Sequence, residues 1–363
     1  MPLSRPEVSE EDIAVVNDVL RSGMLVQGEY VEKLETSFKN YHQVKHAIAV
    51  SNGTATLHLA LKVLGIGPGD EVIVPAFSYI ATANVVELVG AVCVFADVEP
   101  YTFNIDVAQI EDKITTKTRA IIPVHQFGLA CNIAAICSIA TKHNLHVIED
   151  AACALGATQQ NKLVGTFGIL ASFSLHPRKS ITSGEGGVLL TNDDDTAKKL
   201  RQLRNHGIET ENGQMNFVEA GYNYRLTDFQ AALAWSQFHR LQNILNYKKE
   251  LAEIYFSSVT STKIILPLTP AAHNHTWQTF HILLDESLNQ KETITKLKKE
   301  NVGTNYGAQC IPAQTYYRKK YGLKAAALFP NAYNAYTNGL SIPLFERLKK
   351  DEVSYIAHIL NQL

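Results

Sequence analysis

The chain has 363 residues, 46% of them hydrophobic and 19% charged, with a formal net charge of -2. That length exceeds what one growing core holds, so two domains are expected, and a near-neutral balance excludes a global basic field for nucleic acid or anionic membranes. The opening MPLSRPEVSEEDI has no apolar signal core, no run approaches the ~20 apolar residues of a membrane span, and five scattered cysteines match no zinc spacing, so a cytoplasmic protein with reduced thiols and no metal is expected.

In chain order, SEEDIAVVNDVLR (9–21) predicts a helix with a Ser9 cap and an acidic first turn, stopping at Gly23. A second helix is expected over 29–41. His46 to Val50 reads as an apolar strand, followed by Ser51-Asn52-Gly53-Thr54 and the helical run ATLHLALKVLG. Strand, glycine turn and helix N-terminus together make an anion site, because the first amides are unpaired and the dipole is positive there. An ordinary N-cap has the same letters.

The alternation continues. Strands are expected at 71–74, 92–96, 120–124 and 145–148, the last ending in Glu149-Asp150, with helices before 89 and 143. Repeated strand–helix units with apolar strands predict an α/β fold, a mostly parallel central sheet flanked by helices. Ligands in such sheets gather at the carboxyl ends of strands. Ser51 to Thr54, Phe77 to Tyr79, His125, Asp150 and Lys179 all follow strands, which points to one site.

ASFSLHPRKSITSGEGGVLL (171–190) carries a lysine in a glycine-rich loop between two apolar strands. Loops of this kind present chemistry, Pro177 restricts His176, and the glycines allow close approach. A solvated surface lysine is the alternative. Further on, Asp194 to Asn205 reads as a charged helix, and GYNYR (221–225) ends a turn-rich segment. Thr227-Asp228 then opens one long helix, FQAALAWSQFHRLQNILNYKKELAEIYF, long enough to bridge two domains. Residues 1–245 form the expected large α/β domain and 246–363 a smaller α+β domain, with a strand over 279–284 and helices over 292–300 and 353–363.

A pyridoxal phosphate site needs an amine, a carboxylate for the ring nitrogen, a phosphate cradle and a face to stack on. Lys179, Asp150, the Gly53/Thr54 turn with Ser174, and Tyr79 are residues of those types. Asp150 reads equally as a helix cap, and Tyr79 as a core tyrosine.

The chain resembles the DegT/DnrJ/EryC1 group of sugar-nucleotide aminotransferases, pyridoxal phosphate enzymes of fold-type I. The resemblance runs through GMLVQGEYVEKLE, HAIAVSNGTATLHLAL, GDEVIVPAFSYIATANVV, VIEDAACALGA, FSLHPRKSITSGEGG, LRNHG and GYNYRLTDFQAALAWSQ, in the family's order. It implies that Lys179 forms the Schiff base with pyridoxal 5'-phosphate and then shuttles protons, the cofactor passing through its pyridoxamine form. It implies Asp150 at the ring nitrogen, Gly53, Thr54 and Ser174 on the phosphate, and Tyr79 stacked on the ring. Cys153 stands where relatives carry glutamine or histidine, so it is either a weak cofactor contact or a small core residue. Asn223 and Arg225 match a loop that reaches the neighbouring subunit's phosphate in a homodimer; a structural salt bridge is the other reading for Arg225.

L-glutamate as donor and a nucleotide-linked keto-deoxy sugar as acceptor follow from the same resemblance. The GYNYRLT form is more similar to members acting at sugar C4 than at C3. Gln309 and Gln314 replace histidines that relatives carry, a departure that bears on substrate. Other readings compete with this one. A 3-keto acceptor stays open, a dehydratase lacks the lysine seen here, and a regulator on this scaffold usually loses it. A nicotinamide enzyme would need G-x-G-x-x-G after an early strand, and Ser-Asn-Gly-Thr stands there instead.

Overall fold

Seven strands make the main sheet in the computed structural model, which describes residues 1–211 and 213–363. In chain order they are β1 (His46–Val50), β2 (Glu71–Pro75), β3 (Val92–Ala96), β4 (Thr118–Ile121), β5 (His146–Asp150), β6 (Leu170–Ser174) and β7 (Gly187–Thr191). They lie in the spatial order β1-β7-β6-β5-β4-β2-β3. Only β7 runs against its neighbours; the pairs from β6 to β3 are parallel.

Alternate residues of each strand feed opposite cores, as the two-residue period of a strand requires. Ile48 and Val50 join Leu57, Leu61 and Leu200 on one face. Ala47 and Ala49 face Leu34, Phe38 and Ala231 on the other. Both faces are therefore covered, and this explains strand sequences that are apolar throughout instead of alternating.

Helix α1 (Glu10–Ser22) carries the expected Ser9 cap, completed to a capping box by Asp12, and ends at Gly23 in the left-handed conformation. It is followed by α2 (Glu29–His42), α3 (Gly53–Val63), α4 (Ala81–Leu88), α5 (Ile133–His143) and α6 (Asp194–Arg204). The long helix expected after Thr227 is instead two, α7 (Asp228–Phe238) and α8 (Leu241–Ser258). The break has a tertiary cause. Arg240 leaves the helical region (φ -105°, ψ 10°), and its guanidinium donates to Asp12 Oδ2 at 2.7 Å, the Glu7 carbonyl at 3.0 Å and Glu346 Oε1 at 3.3 Å.

A second, antiparallel sheet joins Ile264–Ile265, Phe280–Leu284 and Gly339–Ile342. Its core includes Tyr255 of α8 and Ile356 of the helix Lys350–Asn361. The short strand Gln309–Cys310 pairs antiparallel with Phe77–Ser78, so part of the C-terminal chain lies beside the loop after β2.

Candidate active site

Strand β5 ends in two carboxylates that point to opposite faces of the sheet, one residue apart. Glu149 is fully buried and accepts from the Gly165, Phe167 and Gly168 amides at 2.7, 2.8 and 2.8 Å. His125 Nδ1 accepts the Cys131 amide at 3.1 Å, so its proton sits on Nε2 and is donated to Glu149 Oε2 at 3.0 Å. Burial pushes the Glu149 carboxyl up, but His125 and the loop amides outweigh it and hold the group below the ordinary glutamate value. Glu149 thus anchors a loop.

Asp150 faces the other way. Its Oδ2 accepts from Thr82 Oγ1 at 2.8 Å and its Oδ1 from the Ala152 amide at 3.2 Å. Burial pushes its carboxyl above the ordinary aspartate value, opposed by Thr82, the Ala152 amide and the charge of Lys179. Among the described residues Asp150 makes no ion pair. A buried carboxylate with two donors and no cation has unmet demand for positive charge.

Lys179 lies in the loop between β6 and β7, which is closed by its own backbone. The Leu175 amide donates to the Gly186 carbonyl at 2.8 Å, Ser183 to the Leu175 carbonyl at 3.0 Å, and Lys179 to the His176 carbonyl at 2.8 Å. Two distant amides brace it from outside. Gln278 Nε2 donates to the Arg178 carbonyl at 2.8 Å, and Gln237 Oε1 accepts the Thr182 amide at 2.9 Å. Lys179 Nζ rests 3.0 Å from Cys153 Sγ, three residues beyond Asp150.

The N-terminus of α3 closes over the same strand ends. A Cβ at Gly53 would lie 2.8 Å from Ser174 Cβ, and one at Gly187 would lie 2.7 Å from the Asn52 carbonyl oxygen. Only glycine permits these approaches. Asn52 caps the Ala55 amide at 2.8 Å, while the Gly53 and Thr54 amides donate to no described residue. The first turn therefore offers two amides beside the Ser174 hydroxyl, a ready anion cradle.

Gly53, Ser174, Asp150, Cys153 and Lys179 thus gather at adjoining strand ends. The side chains of the other sequence candidates have different surroundings. Tyr79 is 67% exposed and lines a cleft of about 660 Å³ with Asn84, Gln309, Gln314 and Tyr316. Arg225 and Asn223 run beside the end of β1 through the bridges Val50–Arg225 and Asn205–Asn223. The Arg225 guanidinium donates to Asn205 Oδ1 at 2.6 Å, not into the cradle of its own chain. His176 turns back on its loop, its Nδ1 accepting the Arg178 amide at 3.2 Å.

Sequence reasoning missed Thr82, whose partner is 68 positions away. It also missed Lys248 of α8, which is 4% exposed and forms no ion pair among the described residues. Burial pushes its ammonium down to about 8, with Glu346 and Cys153 opposing and the charge of Lys179 adding to the fall. The only signal in the letters is its place on the apolar stripe Leu241, Ile244, Leu245, Leu251.

Comparison with known proteins identifies the family and the fold. The sequence description of the DegT/DnrJ/EryC1/StrS aminotransferase family matches residues 6–361. The spore coat polysaccharide biosynthesis protein SpsC of Bacillus subtilis is 37% identical, over 97% of this chain and 94% of that one. The UDP-4-amino-4-deoxy-L-arabinose–oxoglutarate aminotransferase of Shewanella sediminis is 36% identical, over 100% of this chain and 98% of that one. Among solved structures, the putative sugar aminotransferase Spr1654 of Streptococcus pneumoniae in its PMP-form superposes with a TM-score of 0.95 at 29% identity, covering 100% of this chain and 97% of that one. Its PLP-form gives 0.94.

Proposed function

The chain belongs to the DegT/DnrJ/EryC1/StrS aminotransferase family, and on that premise we propose that it moves the amino group of L-glutamate to a nucleotide-linked keto-deoxy sugar, at sugar C4. It is a sugar aminotransferase with pyridoxal 5'-phosphate as cofactor. The observation that carries the residue-level reading is the gathering of an amine, an under-compensated buried carboxylate and a two-amide cradle at adjoining strand ends.

The donor set fits the cofactor. Lys179 would hold its aldehyde carbon, Asp150 its protonated ring nitrogen, and the Gly53 and Thr54 amides with Ser174 its phosphate. Tyr79 would cover the ring, and Cys153 would lie at its edge. When bound, the cofactor supplies an electron sink and carries the amino group between the two half-reactions. In the first half-reaction Lys179 Nζ would take the proton from the donor Cα. In the second, Lys179 Nζ would deliver a proton to the sugar carbon that receives nitrogen. Asp150 would keep the ring nitrogen protonated, and its burial away from water would strengthen that pairing. The neutral amine needed for both transfers is rare for a solvated lysine, so covalent engagement with the cofactor solves an acid–base problem as well as a binding one.

Action at C4 draws on the GYNYRLT form and on the name of the Shewanella relative, a 4-amino-4-deoxy sugar enzyme. The cleft beside Tyr79 would take the acceptor, with Gln309 and Gln314 offering neutral amides to sugar hydroxyls. A panel of nucleotide-linked 4-keto and 3-keto deoxy sugars, each with L-glutamate, tests this. The expected product gains an amine at C4, identified by mass and NMR. Amination of 3-keto sugars alone would overturn the C4 assignment.

Homodimers with shared sites belong to the same proposal. Asn223 and Arg225 would contact the cofactor phosphate of the second subunit, and the exposed Met24, Val26, Met215 and Phe217 supply apolar surface for a partner. Arg225→Ala and Asn223→Ala are then expected to weaken cofactor retention, the arginine about tenfold or more because a charge-assisted bond is lost. Equilibrium dialysis showing unchanged retention in both variants would remove the shared-site claim. We also place the domain division at 245/246 and the protein in the cytoplasm, in deoxyamino sugar and polysaccharide biosynthesis. The separate core of the second sheet supports the division. No helix among the described residues is long and apolar enough to cross a membrane.

A further inference from the structure

We infer that Thr82 is a positioning residue for Asp150, and that a buried hydroxyl chain from Ser78 through Thr82 fixes the orientation and the charge of that carboxylate. The inference rests on the reading that Asp150 faces the cofactor's ring nitrogen.

Ser78 and Thr82 are each 1% exposed, and their hydroxyl oxygens are 3.0 Å apart. Thr82 Oγ1 is 2.8 Å from Asp150 Oδ2. An ionised carboxylate only accepts, so the single Thr82 proton must go to Asp150. Thr82 can then only accept from Ser78, and the proton order of the whole chain is set by the charge on Asp150. Burial of all three side chains lowers the local dielectric, so each donor to the carboxylate weighs heavily. The Ala152 amide holds the other oxygen at 3.2 Å, so Thr82 is the one side chain among the described residues that fixes the carboxylate plane. The charged or titratable groups facing Asp150 are Lys179 and His125, and Lys179 is itself engaged with Cys153.

The chain also reaches the acceptor side. Ser78 pairs with Gln309 across the short antiparallel ladder, and Gln309 lines the cleft that Tyr79 shares. Gln309 Oε1 is buried without a partner among the described residues, so a ligand that donates to it would act on the strand that holds Ser78. Thr82 is therefore where the acceptor wall and the ring carboxylate meet.

Thr82→Val, nearly the same shape without the hydroxyl, tests the inference in the holoenzyme beside Thr82→Ser, Ser78→Ala and Asp150→Asn. Two quantities are read: the pH midpoint of the bound cofactor's absorbance, and the rate of the half-reaction with L-glutamate. Thr82→Val is expected to move the midpoint by about one unit and slow the half-reaction roughly ten- to a hundredfold, the worth of a hydrogen bond to a buried charge. Thr82→Ser is expected to restore both, and Ser78→Ala to shift both in the same direction by less. If Asp150→Asn moves the midpoint while Thr82→Val and Ser78→Ala leave both quantities within about twofold of wild type, the inference fails and the reading of Asp150 stands. If Asp150→Asn moves nothing, both fall together.

Discussion

Lys179→Ala is expected to lose the absorbance of the lysine-bound cofactor entirely and to lower turnover by more than about 10³-fold. Proton transfer by a positioned side chain alone contributes about 10²–10⁴-fold, and on the proposed reading Lys179 would serve both half-reactions as well as hold the cofactor. The fold is expected to survive. Among the described residues Lys179 makes one side-chain hydrogen bond, to Cys153, and its loop is closed by backbone bonds and by Gln237 and Gln278. The variant should therefore still bind cofactor through the phosphate cradle, with weaker affinity. An intact lysine-adduct spectrum in Lys179→Ala would show that another amine does the work.

The second large effect is at Asp150, where activity and stability are expected to move in opposite directions. On the proposed reading, Asp150→Asn would remove the negative charge beside the protonated ring nitrogen. Leaving one member of a buried charge pair uncompensated costs about 3–5 kcal/mol, or roughly 10²–10⁴-fold in turnover. The apo protein responds differently. Burial raises the Asp150 carboxyl above its unfolded value. A carboxyl raised in the folded state destabilises it at neutral pH, a cost that fades as pH falls through the folded-state value. The neutral amide introduced by Asp150→Asn would carry no such cost while its oxygen keeps the Ala152 amide. Thermal unfolding of apo Asp150→Asn is thus expected at the same temperature as wild type or higher, and the difference should shrink at acid pH. A variant that unfolds earlier yet keeps wild-type turnover would contradict both halves.

Much of this site is legible in the letters because its parts are local. β1 and β3 have the residue bounds that their apolar runs predict. Asp150 and Lys179 are marked by position, each following a buried strand, and Gly53 by the strand–turn–helix junction. What escapes sequence reasoning is long-range. Thr82 reads as an ordinary threonine near the start of α4 until β5 lies beside it. Lys248 reads as one charge among several on α8, yet it turns inward. The break at Arg240 occurs inside a run of good helix formers, because three acceptors on other segments pull its guanidinium aside. The pairing of Gln309 with Ser78 joins distant parts of the chain, and two-residue strands leave no periodicity to read.

The central claim is that one particular amine holds the cofactor. Borohydride reduction of the holoenzyme followed by peptide mapping tests it most directly. The cofactor mass is expected on the peptide that contains Lys179 and nowhere else. Its appearance on another lysine, the buried Lys248 included, or on none, would contradict the account.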